Sequence, residues 1–320
     1  MISAIAWDQY KKFISTPLQI DELSYVYTVA SGSNLQQISR DLVDAKLSLL
    51  PAEYLRIYGR LTDKARLIKA GEYRIEANTT LPQLLDLLIA GQVIQYSFTI
   101  VEGMTAQQLI TMIVEDERFS KTLINTSLAA VMQALKLPLN DGEGEFSPET
   151  YYFISGTTEV QILRRAHRLM TTNLAEAWKN KAENLPYKTP YEALIMASII
   201  EKETGIAEER PQIAGVFVRR LEKGMRLQTD PTVIYGLGTQ FDGNLRRKDL
   251  RADTPYNTYT RHGLPPTPIA LPSKESIEAA LHPQSGKSLY FVATGKDGRH
   301  VFSANLADHN KAVRQYQLKK

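Results

Sequence analysis

A short pattern occurs three times, without gaps, in the first third of the chain. Each copy has a strand-like triplet, then a Gly or Asn, and then an Asn or Thr that is followed three residues later by Gln. The triplets begin at Tyr27, Tyr73 and Phe98. Because Asn or Thr caps a helix and Gln at the third helical position completes a capping box, each copy predicts a strand, a turn and an apolar helix. This part of the fold must alternate strands with helices.

A second pattern, over residues 189–205, predicts a helix that ends in a carboxylate. Thr189 and Glu192 form a capping box signature, and Gly205 marks the end of the helix. An apolar stripe at helical spacing includes Ile195, Met196, Ile199 and Ile200. The stripe continues to Glu203, at the spacing of one helix face.

Glu203 is the candidate acid. A carboxylate that closes an apolar stripe loses part of its hydration, so its pKa rises and it holds a proton near neutral pH. Glu201 points nearly the opposite way and suits a support or surface role. The alternative is that Glu203 lies at the end of an ordinary amphipathic helix and only reaches solvent, and the periodicity alone leaves both interpretations open.

Composition excludes several classes of function. Lys and Arg number 38 against 35 Asp and Glu, so the charge balance does not indicate a nucleic-acid partner. The chain has no cysteine, which excludes disulfides, thiolate metal sites and a cysteine nucleophile. The five histidines have no compact ligand spacing, so we expect neither a metal site nor another cofactor.

No segment has the roughly 18 to 20 consecutive apolar residues that cross a bilayer. Residues 1–7 are largely apolar and are followed by Tyr10, Lys11 and Lys12, a composition typical of a membrane interface. The alternative is a simple N-terminal strand or helix.

Further patterns predict helices over 121–139, 160–182 and 211–224, a hairpin around Lys296 to Gly298, and a terminal helix capped by Asp308. Together with the repeat, they predict an α+β fold.

Three polar loops are candidates for a cleft. Residues 140–152 form a glycine-rich acidic loop typical of a hinge or cleft, or alternatively a solvated connection. Within 225–236 we expect Gln228, Thr229 and Asp230 to face Glu203, although Asp before Pro also serves a turn alone. Residues 253–272, rich in Pro, Thr and Tyr, predict an extended loop. That loop presents Tyr256, Asn257, Tyr259 and Arg261.

The run MASIIEKET, continued by ERPQIAGVFVRRL and MRLQTDPTVIYG, closely resembles the MltG/YceG-like family of endolytic murein transglycosylases. The runs YNTY and GLPP match that family too, as does the loop at Glu143, Gly144 and 148–151, where Ser147 and Glu149 depart from the usual residues. The resemblance covers the chain from about residue 24 onward. It implies that Glu203 is the catalytic acid.

The resemblance also implies the reaction. A lytic transglycosylase cleaves the bond between N-acetylmuramic acid and N-acetylglucosamine, and the C6 hydroxyl of the muramic residue replaces water, so one carboxyl group serves as acid and then as base. Resemblance and residue type together suggest the substrate-binding residues Gln228, Thr229, Asp230, Tyr235, Tyr256, Asn257, Tyr259, Glu143 and Glu149. The alternatives are a two-carboxylate hydrolase, with Asp230 or Glu149 as the partner of Glu203, and a glycan-binding scaffold without catalysis.

The expected organisation follows from the same resemblance. We expect residues 1–23 to be a membrane-proximal segment in which the family's transmembrane helix is truncated. Residues 24–95 are expected to form a LysM-like module, and residues 96–320 a YceG-like catalytic domain. The expected partners are peptidoglycan glycan strands and peptidoglycan synthases (penicillin-binding proteins), with the enzyme anchored once in the inner membrane and its catalytic domain in the periplasm.

Overall fold

The computed structural model describes residues 2–138, 142–295 and 297–318, so the predicted loop residues Asn140 and Asp141 and the turn residue Lys296 lie outside it. The fold is α+β, as predicted, with helices and three two-stranded sheets in the described part of the chain. Contacts divide the chain into two compact units, one of residues up to 98 with 152–157, the other of 99–151 with 158–320. The predicted domain boundaries stay a prediction.

The first unit contains most of the repeat. Its elements are α1 (Ile2–Ser15), β1 (Ser24–Val29), α2 (Leu35–Asp44), α3 (Ala52–Leu61), β2 (Gly71–Glu76) and α4 (Leu81–Ala90), and the next strand is β3 (Tyr96–Thr99). Strands β1 and β2 pair antiparallel with Tyr27 opposite Tyr73. The helices pack their apolar faces into one core that includes Leu42, Leu55 and Leu84.

The repeat forms the predicted elements. Asn34 Oδ1 accepts a hydrogen bond from the Gln37 amide at 3.0 Å and so caps α2. Thr80 and Thr105 begin their helices with complete capping boxes, in which Gln83 and Gln108 bond back to the backbone amides of the caps. Each copy is therefore a strand, a turn and a capped helix.

The second unit is mainly helical. The elements along this part of the chain are α5 (Ala106–Glu115), α6 (Leu128–Leu135), β4 (Thr150–Phe153), α7 (Glu159–Lys179), α8 (Pro190–Glu203), α9 (Arg210–Glu222), α10 (Asp230–Leu237), α11 (Arg247–Arg251), α12 (Lys274–Leu281), β5 (Tyr290–Ala293), β6 (His300–Ser303) and α13 (Leu306–Tyr316). Strand β4 pairs with β3, and β5 with β6.

Two helices begin at least three residues away from their predicted starts. Helix α6 is shorter than the predicted 121–139, because the buried Glu159 carboxylate accepts the amides of Thr122 and Leu123, both at 2.6 Å, and fixes that segment as a loop. Helix α13 begins before Asp308, because the side chain of Asn305 accepts the Asp308 amide at 2.9 Å and is the cap.

Helix α8 is the centre of the second unit. All eight residues from Ala193 to Ile200 are buried, so the helix is apolar on every side rather than on one stripe. Helices α7, α9, α10 and α12 pack around it. A helix that is apolar all round is stable only inside a core, and this surrounding layer supplies one.

The ends of α8 are also fixed. Thr189 accepts the Glu192 amide at 3.3 Å, whereas the Glu192 carboxylate accepts the Lys188 amide at 2.6 Å instead of closing the predicted box onto Thr189. Thr204 is the C-cap. The polar last turn, which carries Glu201, Lys202 and Glu203, therefore emerges directly from the core.

The described helices include none that is both long enough and apolar enough to cross a membrane.

Gly215 permits a close approach between α9 and the chain near Gln284. A Cβ atom at Gly215 would lie 2.3 Å from the Gln284 carbonyl oxygen, whereas a Cβ atom at Gly205 would meet nothing within 4 Å. We expect Gly215→Ala to lower the free energy of unfolding by about 2 kcal/mol through overpacking, and Gly205→Ala to change it by less than about 0.5 kcal/mol.

Urea unfolding followed by Trp178 fluorescence in a Trp7→Phe background measures this, since Trp178 packs against the core of the second unit. Equal midpoints for the two alanine variants would contradict the close approach.

Candidate active site

A cavity of about 520 Å³ in the second unit contains Glu203. Its walls come from the end of α8, from α9, from the start of α10, from the β5–β6 hairpin and from α13. The polar and aromatic residues among its lining are Glu203, Arg220, Gln228, Thr229, Asp230, Tyr259, Tyr290, Phe291, His300, His309, Asn310 and Gln317. This volume lies in the range of small-molecule and oligosaccharide-sized sites.

Glu203 is half-buried at the cavity wall. Burial raises the pKa of its carboxyl group to about 7, and the negative charge of Asp230 raises it further, whereas the hydrogen bond from Thr229 and the charge of Arg220 oppose the rise. The local fold explains this, because the turn that precedes Glu203 is wholly inside the apolar core. The carboxyl group is thus divided between its acid and its base form near neutral pH.

Thr229 holds the carboxyl group in place. Its hydroxyl group donates to Glu203 Oε1, and its side chain is buried. Thr258 Oγ1 accepts the Thr229 amide at 3.1 Å, and the Thr232 hydroxyl group donates to the Thr229 carbonyl at 2.8 Å. This buried threonine cluster fixes the position of the donor that faces Glu203.

Gln228 and Asp230 flank Thr229 at the cavity. The Gln228 backbone has a left-handed φ of 52° and its amide donates to the Thr258 carbonyl at 3.1 Å. The Tyr259 hydroxyl group donates to Asp230 Oδ1 at 2.5 Å, and burial raises the pKa of that phenol. The structure therefore brings Gln228, Thr229, Asp230 and Tyr259 together with Glu203.

Four other predicted site residues lie outside the lining of this cavity, three of them in a second polar cluster of Glu143, Tyr235 and Tyr256. Glu143 is buried, and its carboxylate accepts the Ala106 amide at 2.9 Å and the Tyr235 hydroxyl group at 3.1 Å. The rings of Tyr235 and Tyr256 are in contact, 4.9 Å between centroids. Asn257 is fully buried, and its amide group donates to the carbonyls of Asp249, Leu250 and Ala252.

Glu149 also lies outside the lining of the Glu203 cavity. Its side chain is exposed, and its backbone carbonyl accepts the Ile100 amide at 2.9 Å.

Several lining residues were not assigned to the site from the sequence. Arg220 belongs to the FVRRL run, but periodicity does not say which of two adjacent arginines faces a cavity that other elements complete. Tyr290 carried no motif. His300 and His309 have no compact ligand spacing in the sequence, and His300 pairs with buried Glu209, with Nδ1 2.7 Å from Oε2.

Glu201 has the support role that was predicted as one of its two options. Its Oε2 accepts hydrogen bonds from the Ser273 amide at 2.9 Å, from the Ser273 hydroxyl group and from the Ser276 hydroxyl group at 2.7 Å. Arg210 lies 3.8 Å from its other oxygen. Glu201 thus ties the start of α12 to α8.

Within the described residues, no three His, Cys, Asp or Glu side chains are grouped so as to hold a metal ion.

Comparison with known proteins gives consistent matches. Residues 27–315 match the model of the YceG-like family. An endolytic murein transglycosylase of Bacillus subtilis is 32% identical over 325 residues, covering 96% of this chain and 89% of the relative. An endolytic murein transglycosylase of Streptococcus pneumoniae is 29% identical over 359 residues, covering 99% of this chain and 63% of the relative, so this chain spans less than two thirds of that protein.

A solved structure of a YceG-like protein from Listeria monocytogenes superposes with a TM-score of 0.56 at 30% identity, covering 90% of this chain and 98% of that chain.

Substitutions of Glu201 and Glu203, in the last turn of α8, should have opposite effects on stability. A carboxyl group whose pKa is raised on folding stabilises the fold while it is protonated, so this contribution is complete below the unfolded pKa of about 4.3 and is lost as pH rises through the folded pKa. For Glu203 that loss ends near pH 7. We expect Glu203→Gln to raise the free energy of unfolding by about 2 kcal/mol at pH 8 and by little at pH 4.5.

Glu201→Gln is the matched comparison, because it removes a charge from the same helix turn but leaves a carboxylate site that three donors and an arginine surround. We expect it to destabilise by about 2 kcal/mol. Urea unfolding at both pH values tests the pair, and a destabilising Glu203→Gln at pH 8 would refute the desolvation of Glu203.

Two neighbours of Glu203 set its pKa in opposite directions. Thr229→Val removes the donor and should raise the pKa of Glu203 by about 0.7 units, whereas Thr229→Ser should leave it nearly unchanged. Asp230→Asn removes a like charge and should lower it. The measurement is a carbon-13 NMR titration of the Glu203 carboxyl carbon, assigned through its absence in Glu203→Gln. Equal pKa values in the valine and serine variants would contradict the role of the hydroxyl group.

Proposed function

This chain belongs to the YceG-like family, and we propose that it is an endolytic lytic transglycosylase of peptidoglycan, in which Glu203 is the catalytic acid and base. The substrate bond joins N-acetylmuramic acid to N-acetylglucosamine within a glycan strand, and the product strand ends in 1,6-anhydro-N-acetylmuramic acid. The observation that carries the assignment of Glu203 is a single carboxyl group with a pKa of about 7 at the wall of a substrate-sized cavity.

The proposed reaction has two proton transfers. Protonated Glu203 gives its proton to the glycosidic oxygen as the bond from that oxygen to C1 of the muramic residue breaks, and N-acetylglucosamine leaves with a 4-hydroxyl group. C1 then carries oxocarbenium-like positive charge. The resulting Glu203 carboxylate removes the proton of the C6 hydroxyl group as O6 bonds to C1, which restores the acid. No water is consumed, so one carboxyl group near its pKa suffices.

The neighbours of Glu203 suit both halves of this cycle. Burial keeps a substantial fraction of the resting group protonated near neutral pH, as the first step requires. The hydroxyl group of Thr229 then donates to the carboxylate formed in between, since it already bonds to Oε1. Asp230, held by Tyr259, adds negative charge to the cavity that favours positive charge at C1.

Substrate contacts are proposed for the residues that line the cavity. Gln228 and Asp230 are exposed there, and Tyr259 lines the cavity while its hydroxyl group donates to Asp230. For Asn257 we propose that its buried, fully engaged amide group holds the 249–260 loop in shape. Glu143, Tyr235 and Tyr256 have a comparable supporting geometry, and a substrate contact of the exposed Glu149 stays a prediction.

Peptidoglycan lies outside the cytoplasm, so the proposed enzyme works there. Glycan binding by a LysM-like module within 24–95, cooperation with peptidoglycan synthases, and single-pass anchoring in the inner membrane with a periplasmic catalytic domain are further proposals, which rest on the family resemblance.

One observation favours a second candidate. Asp230 is a second carboxylate in the same cavity, as a two-carboxylate hydrolase requires, and such an enzyme leaves reducing ends. The two reactions differ by one water in the product, so product mass separates them.

The test is mass spectrometry of fragments released from isolated peptidoglycan by the wild type, Glu203→Gln and Asp230→Asn. We expect 1,6-anhydro ends from the wild type and a loss of at least about 100-fold in rate with Glu203→Gln, because the general acid is removed. Asp230→Asn should keep the anhydro product and move the alkaline limb of the rate profile to lower pH. Reducing ends, abolished by Asp230→Asn, would establish the hydrolase, and equal release by Glu203→Gln would remove Glu203 from the mechanism.

A further inference from the structure

Arg220 is a buried cation in the wall of the Glu203 cavity. Its side chain is 7% exposed. Its Nε donates to the Leu289 carbonyl at 2.7 Å and its Nη1 to the Leu227 carbonyl at 2.6 Å. These partners are neutral, and Arg220 forms no ion pair with any carboxylate in the described parts of the chain.

The third nitrogen of the guanidinium group opens to the cavity. Nη2 has no hydrogen-bond partner among the described residues, and it is not among their fully buried unpartnered atoms. Since Arg220 lines the cavity and its other two nitrogens are engaged by backbone carbonyls, the Nη2 amino group is the donor that remains for a ligand there. Arg219, the adjacent arginine, also bonds to backbone carbonyls, of Ser288 and Gln284, but it does not line the cavity.

The guanidinium group is held rigidly. It lies over the ring of Tyr290, 5.1 Å from the ring centroid, and the His309 ring also stacks on Tyr290, with 5.1 Å between centroids and 23° between the ring planes. Asn310 of α13 and Gln317, which follows that helix, also line the cavity. A fixed cation with one open N–H group is a receptor for a carboxylate or carbonyl oxygen.

The uncompensated charge of Arg220 near Glu203 also favours a substrate oxygen at this position. Arg220 lies close enough to Glu203 to lower the pKa of its carboxyl group. A cation without a counterion at that position would oppose the positive charge that develops on C1 of the substrate. A negatively polarised substrate group at Arg220 removes this conflict and also compensates the buried charge.

The proposed substrate carries one such group at the right residue. N-acetylmuramic acid differs from N-acetylglucosamine by a lactyl ether on O3, which ends in a carboxylate in bare strands and in an amide carbonyl where a peptide is attached. We propose that Nη2 of Arg220 binds this lactyl oxygen on the muramic residue next to Glu203 and so selects muramic acid over N-acetylglucosamine at that position. The inference rests on the proposed function, since it names the substrate group that the same cavity recognises.

Calorimetry with three disaccharides tests the selection. The probes are N-acetylglucosaminyl-N-acetylmuramic acid with a free lactyl carboxylate, the same disaccharide with L-alanine in amide linkage, and chitobiose, which has no lactyl group. None contains the bond that is cleaved. We expect both muramic ligands to bind the wild type about tenfold more tightly than chitobiose.

Arg220→Lys keeps the charge but loses Nη2, and should reduce that ratio to less than about threefold. Arg219→Lys is the matched control and should retain the full ratio. Because each ratio compares ligands on one variant, partial unfolding of Arg220→Lys does not alter it. An unchanged ratio in Arg220→Lys, or a wild type that does not prefer either muramic ligand, would overturn the inference.

A measurement on the unsubstituted protein is independent of folding effects. The side-chain nitrogen-15 resonance of Arg220 should shift when a muramic disaccharide is added and not when chitobiose is added, and a resonance that responds equally to both contradicts the proposal. If the wild type forms no anhydro products but still prefers the muramic ligands through Arg220, only the proposed function is refuted. If it forms anhydro products but shows no such preference, only the binding of the lactyl group by Arg220 is refuted.

Discussion

The burial of helix α8 on every side is the constraint from which the site follows. Eight consecutive residues lie in the core, so the helix can end only where the surrounding helices stop covering it. Its last turn then places Glu201 and Glu203 in opposite surroundings within one helix turn. Glu201 meets the serine donors at the start of α12, whereas Glu203 meets one threonine hydroxyl group, a cavity and the charge of Asp230. The same core that stabilises the helix therefore also raises the pKa of Glu203.

Local hydrogen bonding made part of this fold predictable. The helix caps at Asn34, Thr80 and Thr105 could be predicted, because each depends on residues three positions apart in the sequence. The three helices begin directly after these caps. Helix α6 was misjudged because a distant carboxylate, Glu159, binds the amides that a longer helix would use. The all-round burial of α8 was also missed, since periodicity reports the faces of one helix and not how many neighbours cover it.

The candidate site shows the same division. Glu203, Thr229 and Asp230 were predictable, because an interrupted apolar stripe and a polar turn are properties of single segments. The position of Arg220 in the cavity could not be predicted, because Arg219 and Arg220 are adjacent and of the same residue type. Only the packing of β5 and α13 makes one of them a cavity residue. Asn257 is a residue type that often binds ligands, but its side-chain amide group donates to three backbone carbonyls close to it in the chain.

The charges of the cavity form a consistent set when the reaction is followed through them. When Glu203 is protonated, the Asp230 carboxylate and the Arg220 guanidinium group are charges that the structure holds in place. Asp230 is held by Tyr259, and Arg220 is held by backbone carbonyls. Proton donation turns Glu203 negative as C1 turns positive, so the new charges form as a pair and the total does not change. An ionised Glu203 attracts the Arg220 guanidinium group and can no longer donate a proton. Desolvation of one glutamate therefore preserves the two functions that the cavity offers, an acid at one wall and a receptor for an oxygen at the other.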